Sequence, residues 1–236
     1  MANNGSKDSD FVVGLDIGTS KVVCVIGKYI DQYSVEVISM GSYPSSGLKK
    51  GVVVNIDATT DAIQKSIDQA QASFEGKIKN VYVGIAGNHI RSLNSHGIVG
   101  IKDKEVEASD IDRVIEAAQA VAIPSDQRVL HVLPQEYVID NQDSIREPLG
   151  MSGVRLESHV HLVTCANNAI QNIEKCVKRC GIGVDGFVLE QLASSYSVLS
   201  EDEKELGVCL VDIGGGTTDI AVFNSGSISF TGVIPI

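Results

Sequence analysis

The chain has 236 residues, 43% of them hydrophobic, and a formal net charge of −11. That apolar content supports a substantial core in one or two domains, and the acidic balance argues against a nucleic-acid partner, which needs a basic surface to release counterions. No apolar run approaches the roughly 18 residues of a membrane-spanning helix.

Residues 1–10, MANNGSKDSD, are polar and lack the apolar core of a signal peptide, so they are expected to form a disordered tail of a cytoplasmic protein. The sequon Asn4-Gly5-Ser6 is then irrelevant. Val13 to Val23 reads as an apolar strand ending in Asp16-Ile17-Gly18, a turn through Thr19 and Ser20, and a second strand from Lys21. A third strand-like run covers Ser34 to Ser42. Tyr43 to Gly51 reads as a loop by its proline, serines and glycines, and Val52 to Ile56 as a short apolar run. Asp57 is the expected cap of a helix with Ala62, Ile63, Ile67, Ala70 and Phe74 on one face, ended by Gly76. Val81 to Ala86 is a continuous apolar strand suited to the middle of a covered sheet.

From Gly87 the texture changes. Ser92 to Ile101 reads as an exposed strand and Lys102 to Glu105 as a charged connector. A helix then starts at a capping-box-like Ser109 and Asp112 and stops at Pro124. Arg128 to Asp140 reads as a long strand interrupted at Pro134, Asn141 to Ser152 as a loop, and Val154 to Cys165 as an alternating strand. These pieces suffice for a small α+β subdomain over residues 87–160, inserted into the first lobe. His159 and His161 fall on one face of the last strand, which suits either a metal or ordinary packed or solvent-facing histidines.

A helix beginning near Asn167 carries Ile170, Ile173, Cys176 and Val177 inward and stops at Gly181. Gly181 to Gly186 matches G-x-G-x-x-G, yet it follows a helix and leads into a strand, the reverse of a dinucleotide fingerprint. Glu190 stands where that strand ends and a short helix begins, with Leu192, Tyr196 and Leu199 on one side. It is placed either to orient water for attack on phosphate or simply as a surface glutamate at a helix start. Ser200 to Glu205 reads as a charged, solvated linker. The cysteines, Cys24, Cys165, Cys176, Cys180 and Cys209, read as buried structural thiols, since Cys176 and Cys180 lack further ligands at zinc spacing.

Val211 to Val222 repeats the opening pattern: strand, Gly214-Gly215-Gly216 turn, strand, with a third run over Ser227 to Ile234. Glycines there let consecutive N–H groups point into one concavity, as a phosphate cradle requires. Asp212 and Asp219 are expected on either side of it. Carboxylates beside polyphosphate need a hard cation between them, which implies Mg²⁺ held mostly through water. The two hairpins lie about 196 residues apart, beyond the period of repeat proteins, so they mark a duplicated domain with a nucleotide between its halves.

These residues resemble the actin, Hsp70 and sugar-kinase superfamily, with VVGLDIGTSK as its first phosphate motif, VDIGGGTTDIAV as its second and FVLEQLASSYSVL as the segment joining the lobes. Within it, GNHIRSLNSHGIV, RVLHVLPQEYVID and EPLGMSGVRLESHVHLVTC are similar to the bacterial cell-division branch. The resemblance implies an α/β fold: an actin-like (ribonuclease-H-like) lobe (residues 11–86 and 161–204) with an inserted α+β subdomain (87–160) and the first β-hairpin sheet of a second lobe (205–236). It implies ATP and Mg²⁺, with Asp16, Gly18, Thr19, Ser20 and Lys21 in one phosphate hairpin and Gly214, Gly215, Gly216, Thr217, Thr218 and Asp219 in the other. Asp16 and Asp212 would face the hydrated ion. It further implies filaments beneath the inner membrane, recruitment of the tubulin-like FtsZ ring, and contacts to later division proteins through residues 87–160. The family's remaining second lobe, FtsZ surface and C-terminal membrane helix are expected beyond Ile236, which makes this sequence a partial form with residues 205–236 poorly anchored. A small-molecule kinase or polyphosphatase of the same superfamily, or a pilus-assembly ATPase-like protein, is the alternative.

Overall fold

The structure is a computed structural model that describes residues 10–32 and 34–236; the tail expected over residues 1–10 lies outside the described residues except for Asp10. Strands β1 (Phe11–Ile17), β2 (Lys21–Tyr29) and β3 (Val35–Pro44) form an antiparallel meander. Helix α1 (Ile56–Ala72) then crosses over to β6 (Asn80–Ile85), which runs parallel to β1 and to β11 (Gly183–Leu189). The sheet order is β11-β6-β1-β2-β3. Alternation along β1 and β2 sends Val13, Leu15, Ile17, Val22, Cys24 and Ile26 to one face, where they bury against α1 and α3 (Asn167–Arg179). Burial pushes the Cys24 thiol up to about 12, as suits a packing residue. Of the other cysteines, Cys165 and Cys176 are buried and Cys180 is partly so, but Cys209 is exposed.

Local chemistry moves several boundaries. The α1 cap is Asn55, whose side chain accepts from the Ala58 N–H at 3.0 Å. Asp57 instead sits in the first turn, where its charge suits the helix dipole. The helix ends at Ala72, before Gly76. Residues 43–51, read as loop, contain β4 (Leu48–Lys49), which pairs with β5 (Val52–Val53) as a small ribbon.

The region after Gly87 builds its own sheet from β7 (Ile90–Gly100), β8 (Gln127–Ile139), β9 (Gln142–Ile145) and β10 (Arg155–Ala166), ordered β7-β10-β8-β9. Strand β9 lies within the stretch read as loop. Helix α2 (Ala108–Gln119) covers one face and begins with a capping box of Glu107 and Asp110, two residues before the pair read from sequence. It packs against β7 at Gly97, where a Cβ would stand 2.3 Å from the Val114 carbonyl. Pro134 does not interrupt β8; the register steps from His159↔Glu136 to Val160↔Pro134, so Gln135 forms a bulge. Strand β10 starts in this subdomain's core at Leu156 and ends in the first lobe's core at Val163 and Cys165.

Helix α4 (Glu190–Val198) leaves β11 and leads to α5 (Glu201–Leu206), which occupies the stretch read as a linker. Ser200 and Glu203 cap α5, and Lys204 is buried, its Nζ 2.8 Å from Glu201 and over the Tyr196 ring. The last sheet is β12 (Val208–Ile213), β13 (Thr217–Asn224) and β14 (Ser227–Pro235) in chain order. One face is covered, contrary to the expectation of a poorly anchored segment. Its apolar residues Ala221, Phe223 and Ile228 cluster with Leu133 and Leu199, and β14 is bonded to the inserted sheet. Ser92 donates to the Thr231 carbonyl (3.1 Å), Asn94 to Ser229 (3.3 Å) and Gln135 to Ile228 (2.9 Å). The opposite face is open: Val211, Ile213 and Phe230 are exposed.

Candidate functional site

Both hairpins close in the same way. The Gly18 N–H donates to the Lys21 carbonyl at 3.0 Å, and the Gly214 N–H to the Thr217 carbonyl at 2.8 Å. The third strands also end on equivalent atoms, with Ser45 N–H on the Ser20 carbonyl (3.0 Å) and Ile236 N–H on the Gly216 carbonyl (3.1 Å). Strand pairing places Asp16 opposite Val23 and Asp212 opposite Asp219. The two tips meet. A Cβ on Gly215 would lie 2.9 Å from Ser20 Cβ, and one on Gly216 would lie 2.8 Å from Thr19 Oγ1. Thr19 Oγ1 in turn accepts the Gly51 N–H at 3.2 Å, tying the first turn to the β4–β5 ribbon.

The first turns of α4 touch both hairpins. Glu190 shares a hydrogen bond with Asp16. Gln191 Nε2 donates to Asp219 Oδ1 at 3.1 Å, and Ser194 Oγ to Asp212 Oδ2 at 3.3 Å. Burial first, then the charges of Asp16, Asp219 and Asp212, raise the Glu190 carboxyl well above the usual range. Burial also raises Asp16, opposed by Lys21 and supported by Asp212. Asp16 is open to solvent at its surface but lies in the mouth of this cleft, so the surrounding protein, not full enclosure, acts on it. The cleft has a volume of about 320 Å³, with Gly14, Val25, Tyr82 and Val188 on its apolar side and Asp16, Glu190 and Asp212 on its acidic side.

Asp219 flanks the turn across the strands from Asp212, its register partner; it is buried and accepts from Thr217 Oγ1 (2.9 Å) as well as from Gln191. The structure thus brings Asp16, Asp212, Glu190 and both turns together and sets Asp219 behind them. Lys21 is exposed at the start of β2. Of Leu192, Tyr196 and Leu199, the two leucines are partly buried against the cores and Tyr196 is exposed, while Gln191 and Ser195 are the buried residues of α4. Gln191 and Ser194 escaped the sequence reading. Ser194 follows Glu190 by four residues and so shares its helix face, a usable signal, whereas nothing in the pattern marks a glutamine as buried.

His159 and His161 serve separate ends. His161 is buried, with Nδ1 2.6 Å from Asn94 Oδ1 and Nε2 3.1 Å from Thr231 Oγ1, and burial lowers its pKa. His159 is at the surface, 3.9 Å from Glu136. Among the described residues no group of three His, Cys, Asp or Glu side chains is placed to hold a metal ion directly. The chemistry of the cleft nonetheless fits a hydrated magnesium–polyphosphate: clustered carboxylates whose mutual repulsion a cation would relieve, beside glycine turns with no Cβ over their amides. Phosphate can lie between the turns only when the tips separate from their present contact.

Residues 87–164 match a family model described as the SHS2 domain inserted in FTSA. The chain is 68% identical over 225 residues to the cell division protein FtsA of Pseudomonas aeruginosa, covering 95% of this chain and 54% of that protein. It is 47% identical over 228 residues to FtsA of Escherichia coli, covering 97% and 54% respectively. It therefore spans about half the length of these relatives. Among solved structures, the PilM-PilN type IV pilus biogenesis complex aligns with a TM-score of 0.68 at 14% identity, over 94% of this chain and 61% of that one. The ethanolamine utilization protein EutJ of Carboxydothermus hydrogenoformans aligns with a TM-score of 0.52 at 16% identity, over 95% and 52%. At such identities the likeness concerns the fold alone.

Proposed function

The chain belongs to the FtsA family of cell-division proteins, and from that premise we propose that it binds ATP with a hydrated Mg²⁺ between its two glycine turns and acts as an assembly adaptor in division. The observation that carries this reading is the pair of equivalent turns, each closed by a glycine N–H two residues after an aspartate. Gly18, Thr19, Ser20 and Lys21 on one side and Gly214 to Thr218 on the other would receive the phosphates, with Asp16 and Asp212 facing the ion's water shell. Asp219 would support the second turn from behind.

Glu190 bears on the choice between adaptor and enzyme. Its carboxyl is buried and engaged by Asp16 of the first hairpin rather than free to take a proton from water, which supports ATP as a structural ligand with slow or absent hydrolysis. Residues 87–160 are the proposed docking module for later division proteins, and self-association into filaments follows from the same family reading. The surface for FtsZ and the attachment to the cytoplasmic face of the inner membrane are assigned to the part of the family's length that this sequence does not span.

Calorimetric titration of ATP with Mg²⁺ tests the site, comparing this chain with a form of the relatives' full length and with Asp16→Ala and Asp212→Ala in each. Magnesium-dependent binding that both substitutions weaken at least tenfold is the expected result. Binding by neither form, or binding indifferent to both aspartates, overturns the reading.

A further inference from the structure

Gln191 is a neutral amide with no access to solvent at the head of α4, and its Oε1 has no hydrogen-bond partner while its Nε2 donates to Asp219. Half-satisfied buried amides are uncommon because an apolar side chain of the same size packs there at lower cost. Its single bond crosses from the connector helix to the strand that leaves the second turn. Asp219 passes the restraint on, since its other oxygen accepts from Thr217, whose carbonyl closes that turn on the Gly214 N–H.

We propose that Gln191 is a positioning residue for the second glycine turn: through Asp219 and Thr217 it fixes the direction of the Gly214 to Gly216 amides relative to α4. The inference rests on the nucleotide reading for its functional consequence, though not for its geometry. The tips touch in this structure, so phosphate entry requires them to part, and the second turn then loses the support of Thr19 and Ser20. The second turn is then held from α4 by the Gln191 bond and by Ser194 on Asp212, and from β14 by the Ile236 N–H on the Gly216 carbonyl. Glu190, next in the chain, is hydrogen-bonded to Asp16 of the other hairpin. Two adjacent residues therefore attach one helix start to both turns, and Gln191 carries the side whose glycines have no side chains to steady them.

The test uses Gln191→Leu, which keeps the volume and removes the bond, and the exchange Gln191→Glu with Asp219→Asn. The exchange restores the bond with donor and acceptor reversed and leaves net charge unchanged; Thr217 retains an acceptor. Two readouts are taken on a form of the relatives' full length: backbone amide NMR shifts of Gly214 to Gly216 without nucleotide, and affinity for ADP with Mg²⁺. The expected result is displaced glycine resonances in Gln191→Leu with about tenfold weaker binding, and both returning to within about threefold or to the wild-type shifts in the exchange. Glycine resonances that stay in place in folded Gln191→Leu, or an exchange as impaired as the single variant, overturn the proposal. If wild type binds no nucleotide, the reading of the site fails separately, and the nucleotide-free resonances still decide the role of Gln191.

Discussion

Glu190 and Asp16, one from the start of the connector helix and one from the end of the first strand, share a hydrogen bond that needs one proton between the two carboxyls. Three carboxylates push that proton on: Asp16, Asp219 and Asp212 all raise the Glu190 pKa, after burial. Two ionised carboxylates cannot share that bond, so it ties α4 to the first hairpin only while one of the pair is protonated.

A carboxyl raised in the folded state stabilises the fold fully below its unfolded value of 4.5 and loses that contribution as pH rises through the folded pKa. Glu190→Gln keeps a donor toward Asp16 and cannot ionise. We expect it to be more stable than wild type at pH 8 and nearly equal at pH 4.5, so that its melting temperature falls less between them. A gain of about 1 kcal/mol corresponds to about 2–4 °C for a chain of this size. Scanning calorimetry across that range checks it, and an unchanged pH slope counts against the shared proton.

The contact between tips predicts a sharp difference among glycines. A methyl at Gly216 would stand 2.9 Å from Thr19 Cγ2 and 3.1 Å from its Cβ, whereas one at Gly100 meets nothing within 4 Å. Gly216→Ala is expected to cost about 1–3 kcal/mol by overpacking and to weaken Mg²⁺–ATP binding at least tenfold by covering the cradle. Gly100→Ala should leave both within error. Equal behaviour of the two in thermal melts and titrations would show that the tips do not meet in solution.

His161 makes the seam between β10 and β14 sensitive to acid. Burial lowers its folded pKa below 6.5, so the unfolded chain binds the extra proton first and stability falls as pH drops below 6.5. Both ring nitrogens are engaged, with Asn94 and Thr231. His161→Gln cannot titrate. Its stability should decline less steeply between pH 6.5 and 5 than that of wild type, leaving the residual slope that His89 and His131, also lowered by burial, supply. Urea denaturation midpoints at several pH values give the comparison.

Strand and helix types were legible because period-two alternation in β1 and helical spacing in α1 and α3 follow directly from which residues are apolar. The two turns were legible because glycines beside a strand-end aspartate have few other uses. What escaped was polar and tertiary. α5 looked like a solvated linker because its composition is charged, yet Ser200 and Glu203 cap it and Tyr196 shelters Lys204. β9 escaped because a four-residue edge strand made of Gln142, Asp143, Ser144 and Ile145 has no apolar pattern to show. Asp219 was legible as the carboxylate across the turn from Asp212, but not its burial or its bond to Gln191, because linear order does not show which face of β13 packs against α4.

The duplication makes its own prediction, because equivalent positions differ in cover. Adding 196 to Leu15 gives Val211, and to Ile17 gives Ile213; the first pair is buried at 1% and 5% exposure, the second open at 50% and 75%. In the first lobe α1 and α3 lie over that face, and no described element lies over its counterpart here. Leu15→Ala should therefore cost about 2–5 kcal/mol, as for a buried leucine, while Val211→Ala in this 236-residue chain should stay within about 0.5 kcal/mol, as for a surface site. A large loss at Val211, read from denaturant unfolding, would mean that the open face is covered in solution, by another copy or by a rearranged segment. Repeating the measurement on a form of the relatives' full length separates the two: if added chain packs there as α1 does on β1 to β3, the cost of Val211→Ala rises toward that of a core valine only in the longer form.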